Sequence, residues 1–135
     1  MSTRSLTVFM DDDHKEIAVM YKHSDGYPED YGKDLAEFIK DIEITNGISY
    51  LDTQRTANGM ECLAAQIVSH FKKNNPSGIY LYAAKTRNMD EEYIYIIKKG
   101  SGKYPKMEVL SDLHNPKKPV TIFCGTGLGF LNFIK

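Results

Sequence analysis

Five residues have the types and the places from which a binding site could be built. Arg4 stands just before the first strand-like run and offers a guanidinium to a carboxylate or phosphate; the plain alternative is a solvated charge near a chain end. Asp25 and Tyr27 belong to the turn Asp25-Gly26-Tyr27-Pro28. Turn geometry alone accounts for them, since Asp and Gly satisfy a tight bend and Pro fixes the next φ. Pointed into a cleft, the same side chains would orient the arginine and stack on a ligand. Asn58 and Gly59 open the clearest helix of the chain. Asn58 suits a plain cap, yet a helix N-terminus with a glycine allowing close approach is also an anion site. Arg87 lies in a polar loop and would add a second guanidinium. Converging, these five would make an anion-binding pocket, and the expected ligand is a small nucleotide-like anion.

Patterns for catalysis are thin. His14, His23, His70 and His114 are scattered, and neither a Ser-His-Asp order nor HExxH occurs. Asp11-Asp12-Asp13 and Asp90-Glu91-Glu92 read as solvated charge runs. Cys62 and Cys124 have no CxxC or Cys/His cluster beside them, so no zinc site is expected. Both read as buried structural thiols, with Cys62 at a helix N-terminus as the reactive alternative. The glycines of GTGLG (125–129) follow a strand but lack the rest of a βαβ unit, which excludes a dinucleotide loop. No catalytic residue, metal or cofactor is therefore expected, and a small hydrolase using Asp25 or Cys62 is the weakest of three readings.

The elements that must position these residues are legible in outline. Ser5–Met10 and Glu16–Lys22 read as a β-hairpin, with Ile17, Val19 and Tyr21 on one face. Asp30 can cap a helix over about 31–42, with Leu35, Phe38, Ile39 and Ile42 on one stripe. Residues 43–56 read as a connecting loop. Over 57–73, Met60, Leu63, Ala64, Ile67, Val68 and Phe71 recur as an amphipathic helix stripe, with Asn58 and Glu61 suiting a capping box. Residues 78–83 and 92–98 read as a second hairpin. Its paired faces hold Tyr80 and Tyr82 against Tyr93 and Tyr95. Cross-strand aromatic packing explains these tyrosines; a base-stacking platform is the alternative, although the RNP1 pattern is absent. A short strand over 107–110, a loop over 112–119, a buried strand over 120–124 and a short helix begun at Thr126 complete the chain. In that helix Leu128, Leu131 and Ile134 are expected to face inward. The expected fold is α+β: one antiparallel sheet with two consecutive helices on one face, in the order ββααββββ(α).

Composition sets the outer bounds. The 135 residues make one domain of ordinary size. A net charge of −1 argues against binding long nucleic acid through phosphate contacts. No apolar run approaches the roughly 20 residues that span a bilayer, and no secretory h-region precedes the first strand. The cytoplasm is the expected compartment.

Five motifs together resemble a family of small proteins spread through bacteria and their phages. They are TRSL (3–6), DGYP (25–28), DLAEF (34–38), NGMxCLAAQ (58–66) and GIYLY with EEYIY (78–95). The order and spacing of all five match, and the C-terminal GTxxxFLxFI segment (125–134) resembles the family as well. This chain departs from the family pattern at Lys22-His23 and at Gly127 and Gly129. The resemblance implies a fold and a phage setting and brings no activity with it. The leading expectation is a phage- or prophage-encoded accessory protein of the bacterial cytoplasm. It would sequester a nucleotide or a nucleotide-derived immune signal, as in counter-defence. The alternative is a protein-binding inhibitor that acts on a host protein through the tyrosine-rich hairpin face, since tyrosine and arginine favour interfaces. A homodimer is expected, because short edge-prone strands carry exposed tyrosines.

Overall fold

The computed structural model describes residues 3–47, 55–111 and 118–135. Ser5–Met10 (β1) and Glu16–Lys22 (β2) form the expected antiparallel hairpin, with a bulge at Phe9/Met10. A π-helical turn, Pro28–Gly32, runs directly into the helix Lys33–Ile39 (α1). Glu43–Thr45 (β3) and Thr56–Asn58 (β4) then pair in parallel as a separate two-stranded sheet. The main helix Met60–Lys72 (α2) follows, and after it the strands Ile79–Ala83 (β5), Tyr93–Lys98 (β6), Lys106–Ser111 (β7) and Val120–Thr126 (β8). The helix Gly127–Phe133 (α3) comes last among the elements. Residues 48–54 of the loop expected over 43–56, and residues 112–117 of that expected over 112–119, lie outside the described residues.

The sheet corrects the expected architecture. It is mixed and six-stranded, in the order β5-β2-β1-β6-β7-β8. β5 and β6 do not pair with each other: β5 adds antiparallel to β2, and β6 lies parallel to β1. The domain is α+β with a mixed sheet, a second small sheet and three helices. Burial explains why β6 takes the centre. Its run Tyr93-Ile94-Tyr95-Ile96-Ile97 is apolar on both faces, as a strand covered on both sides requires. A solvent-facing hairpin would leave half of that run exposed.

Because β5 and β6 both run with β1, the chain between them must return the length of the sheet. Ala83 pairs with Ala18 near one end, whereas Glu92 donates its N–H to the Arg4 carbonyl (2.8 Å) at the other. Residues 84–92 at about 3.3 Å each reach about 30 Å, beyond the ~20 Å of a six-residue strand. On the way Met89 packs on Leu6, Val8, Val19, Tyr21 and Ile94, the cluster on the face away from the helices.

The other face holds the main core. Phe9, Met20, Tyr95, Ile97, Met107 and Val109 of the sheet meet Leu35 and Ile39 of α1, Leu63 and Ile67 of α2, and Phe130 of α3. The α2 stripe is as the sequence predicts, with Phe71 half-buried at its end against Tyr31 (ring centres 5.1 Å apart). Its start is not. Residues 56–58 stay extended in β4, Gly59 turns the chain at φ 87, and no side chain caps the helix. α1 likewise lacks the Asp30 cap: Tyr27 occupies the position before the π-helical turn, without a side-chain cap bond. That turn instead drives Tyr31 into the core, where its hydroxyl and the Thr7 hydroxyl share a 2.6 Å hydrogen bond. α3 does begin after Thr126, whose Oγ1 accepts the Gly129 N–H at 3.1 Å. Gly127 and Phe130 are its buried residues, Leu131 and Ile134 pack half-buried on the core as expected, and Leu128 is exposed.

Candidate binding surface

Three of the five predicted site residues share one end of the main sheet. Arg4 precedes β1 and is half-buried. The turn after β2 folds back on it, with the Gly26 N–H donating to the Thr3 carbonyl at 2.9 Å. Asp25 (φ 57) and Tyr27 are both exposed there. The field around Tyr27 is negative. Asp30 chiefly, then the little burial there, Asp25 and Glu29 raise its phenol above the usual pKa. An anion stacked on Tyr27 would meet the same carboxylates.

The other two lie at the opposite end. The Ile44 N–H donates to the Lys103 carbonyl (2.8 Å), in the turn between β6 and β7, the far end from Tyr93 and its partner Ser5. Asn58 closes the β3–β4 pair there and is exposed. Its Oδ1 accepts the Gly47 N–H at 2.8 Å, so it ties two loops together and caps nothing. Arg87 is held at the start of β2 by Glu16, in a forked pair with N–O distances of 2.9 and 3.2 Å. The five residues therefore do not form one cleft. Arg4, Asp25 and Tyr27 meet because one hairpin carries them. Arg87 sits at the other end because the β5–β6 connection crosses the sheet.

The tyrosines divide in the same way. Tyr80 and Tyr82 lie beside Tyr21 on the face away from the helices, with ring centres 6.3 and 6.4 Å from it. Tyr93 and Tyr95 are on the helix face, with two strands between β5 and β6, and Tyr95 donates its hydroxyl to the Gly26 carbonyl (2.8 Å). Burial pushes the Tyr95 phenol far above its usual pKa. The four make no common platform.

Among the described residues no three His, Cys, Asp or Glu side chains are placed to hold a metal ion, and no helix is long and apolar enough to cross a membrane. Cys62 is half-buried, whereas Cys124 is exposed because β8 is an edge strand and not the buried one expected. Between α1 and α2, His70 stacks on Phe38 (centres 4.1 Å, 19°), and the Arg55 guanidinium lies 4.7 Å from the Phe38 ring centre. Burial first, then Lys73 and Arg55, lower the His70 pKa against the pull of Asp34. This stack joins the two helices through their side chains.

An open apolar surface surrounds β5. Only Ile79 of this strand is buried, and Leu81 is 60% exposed. The His23 N–H donates to the Gly78 carbonyl (2.8 Å). By the antiparallel alternation that follows, Tyr80 and Tyr82 bond to β2, while Ile79, Leu81 and Ala83 turn their N–H and C=O groups outward. Local partners serve two of those carbonyls: Lys72 Nζ donates to Ile79 (2.6 Å), and Thr86 Oγ1 to Ala83 (2.8 Å). At Leu81, in the middle, the edge is bare among the described residues. Beside it runs a groove of about 600 Å³ between β5 and α2, with Phe9, Ala18, Ala64, Val68 and Leu81 in its lining. Glu61 of the first turn of α2 and Lys72 and Lys73 at its other end also line it. Sequence reasoning missed Leu81 and this groove. The uncharged run Ile79-Tyr80-Leu81-Tyr82-Ala83 was the available signal, but its edge position follows from the crossover.

No family model, curated protein or solved structure matches the chain.

Proposed function

We propose that this chain is a protein-binding module that accepts an extended polypeptide as an added strand on β5. The observation that supports it is the bare, uncharged centre of β5 at the rim of an apolar groove. An open edge supplies backbone hydrogen bonds, and side chains alternating along the incoming strand enter the groove beside it. The segment that fits has apolar residues at alternate positions. It carries an acidic group at the Lys72/Lys73 end and a basic group at the Glu61 end, matching the charges that line the groove. Tyr80 and Tyr82 flank the same strand on the opposite face, where amphipathic rings favour an interface. This is the interaction reading of the sequence, moved from a tyrosine hairpin to an edge strand. The anionic-ligand reading has less behind it: Arg4 and Asn58 lie at opposite ends of the sheet, and Tyr27 is surrounded by carboxylates. A bacterial cytoplasmic setting with a phage or prophage origin belongs to this proposal on the strength of the family resemblance and the composition.

A random peptide library, selected on the wild-type chain and counter-selected on Leu81→Lys, tests it. The expected outcome is enrichment of peptides with alternating apolar residues, and their amides should gain exchange protection together with that of Leu81. Peptides that bind wild type and Leu81→Lys equally would overturn it, as would no enrichment on a wild-type chain that sediments as a monomer.

A further inference from the structure

We infer that the strand taken up by β5 is β5 of a second copy of this chain, joined about a two-fold axis through Leu81. The inference rests on the reading of β5 as a strand acceptor and names its occupant. An antiparallel edge-to-edge pairing about a two-fold axis is self-complementary. Centred on Leu81, it sets Leu81 against itself, Tyr80 against Tyr82 of the second copy, and Ile79 against Ala83. Every residue then meets one on its own face of the sheet. The outward N–H and C=O of Leu81 would exchange two hydrogen bonds with their counterparts, which is the pairing the bare edge lacks.

The second copy also has the chemistry that the groove requires. Its β5 turns Ile79, Leu81 and Ala83 toward the helix side and carries no charge. The charges follow from the direction of α2. Lys72 reaches the Ile79 carbonyl at the start of β5, so the last turn of α2 lies over that end. Glu61, eleven residues earlier on the same helix, lines the groove toward the other end. When two copies meet antiparallel, the basic end of each α2 faces Glu61 of the other. Two opposite-charge contacts form. On the other face, Tyr80 and Tyr82 of both copies extend the cluster around Tyr21 into one aromatic strip across the seam. The six-stranded sheets join into a single twelve-stranded sheet.

Charge reversal tests this arrangement, because a mixture distinguishes it from any effect on folding. Glu61→Lys alone would place two lysine-rich contacts across the axis, and Lys73→Glu alone would place two acidic ones. Each variant should raise the dimer dissociation constant at least about tenfold in sedimentation velocity. Mixed one to one, the two variants restore both opposite-charge contacts in a heterodimer, and its affinity should return to that of wild type. Leu81→Lys, at an exposed position, should stay folded by circular dichroism and sediment as the 15.3 kDa monomer. The inference is overturned by a wild-type monomer at concentrations up to about 1 mM. It is also overturned by a dimer that survives Leu81→Lys, or by a mixture no tighter than either variant alone. A monomer that still selects strand-like peptides at Leu81 would sink the second copy and leave the proposed function standing. A monomer that selects none would sink both.

Discussion

At the scale of single residues, the buried polar groups are placed by topology. Thr7 and Tyr31 are both fully buried, and each is the other's hydrogen-bond partner across 24 positions of sequence. Tyr31→Phe would strand the Thr7 hydroxyl in the core and should cost about 1–3 kcal/mol in urea denaturation. Adding Thr7→Val should recover most of that loss, since no polar atom is then left unpaired. Nothing in the sequence ties Thr7 to Tyr31. Strand alternation gives Thr7 a face, but only the π-helical turn brings Tyr31 to meet it. Arg4, Asp25 and Tyr27 were legible as neighbours because one hairpin carries all three. Asn58 was misread for a local reason. Its type suits a cap, yet the chain stays extended there and the turn falls on Gly59, where φ is positive and glycine meets no strain.

At the scale of elements, periodicity spoke clearly wherever an element buries one face. The α2 stripe and the Thr126 start of α3 are where the spacing puts them. Partner choice among strands left a fainter mark: the run of β6, apolar on both faces, points to a covered strand but not to its neighbours, because parallel and antiparallel neighbours present the same side-chain period. α3 shows how packing overrides propensity. Gly127 and Gly129 argue against a helix, but α3 packs on α1 so closely that a Cβ on Gly127 would lie 2.7 Å from the Ala36 carbonyl oxygen. That contact is with backbone and cannot swing aside. Gly127→Ala should therefore lower stability in thermal unfolding, even though alanine is favoured by ~1 kcal/mol in an unconstrained helix. An unchanged or raised midpoint would mean that α1 and α3 have room to separate.

At the scale of the whole molecule, the two most buried tyrosines set an alkaline limit. Burial holds the phenols of Tyr31 and Tyr95 well above their ordinary value of 10.0, although the Thr7 hydrogen bond pulls Tyr31 slightly back. The folded chain thus keeps these protons more tightly than the unfolded chain does. Their contribution to stability is complete below pH 10 and is lost as pH rises beyond it. In an alkaline titration the phenolate absorbance of these two residues should appear with unfolding, as a late and cooperative step. A smooth titration of all nine tyrosines around pH 10 would contradict their burial. The central place of β1 has a further consequence, for synthesis. Its hairpin with β2 leaves the ribosome early, yet β6, the second neighbour of β1, is complete only about 75 residues after the end of β2. At 5–20 residues per second, the nascent hairpin waits roughly 4–15 s with one side of β1 unsatisfied. During that interval the stretch Ser5–Met10 is the part of the newborn chain most in need of a chaperone's cover.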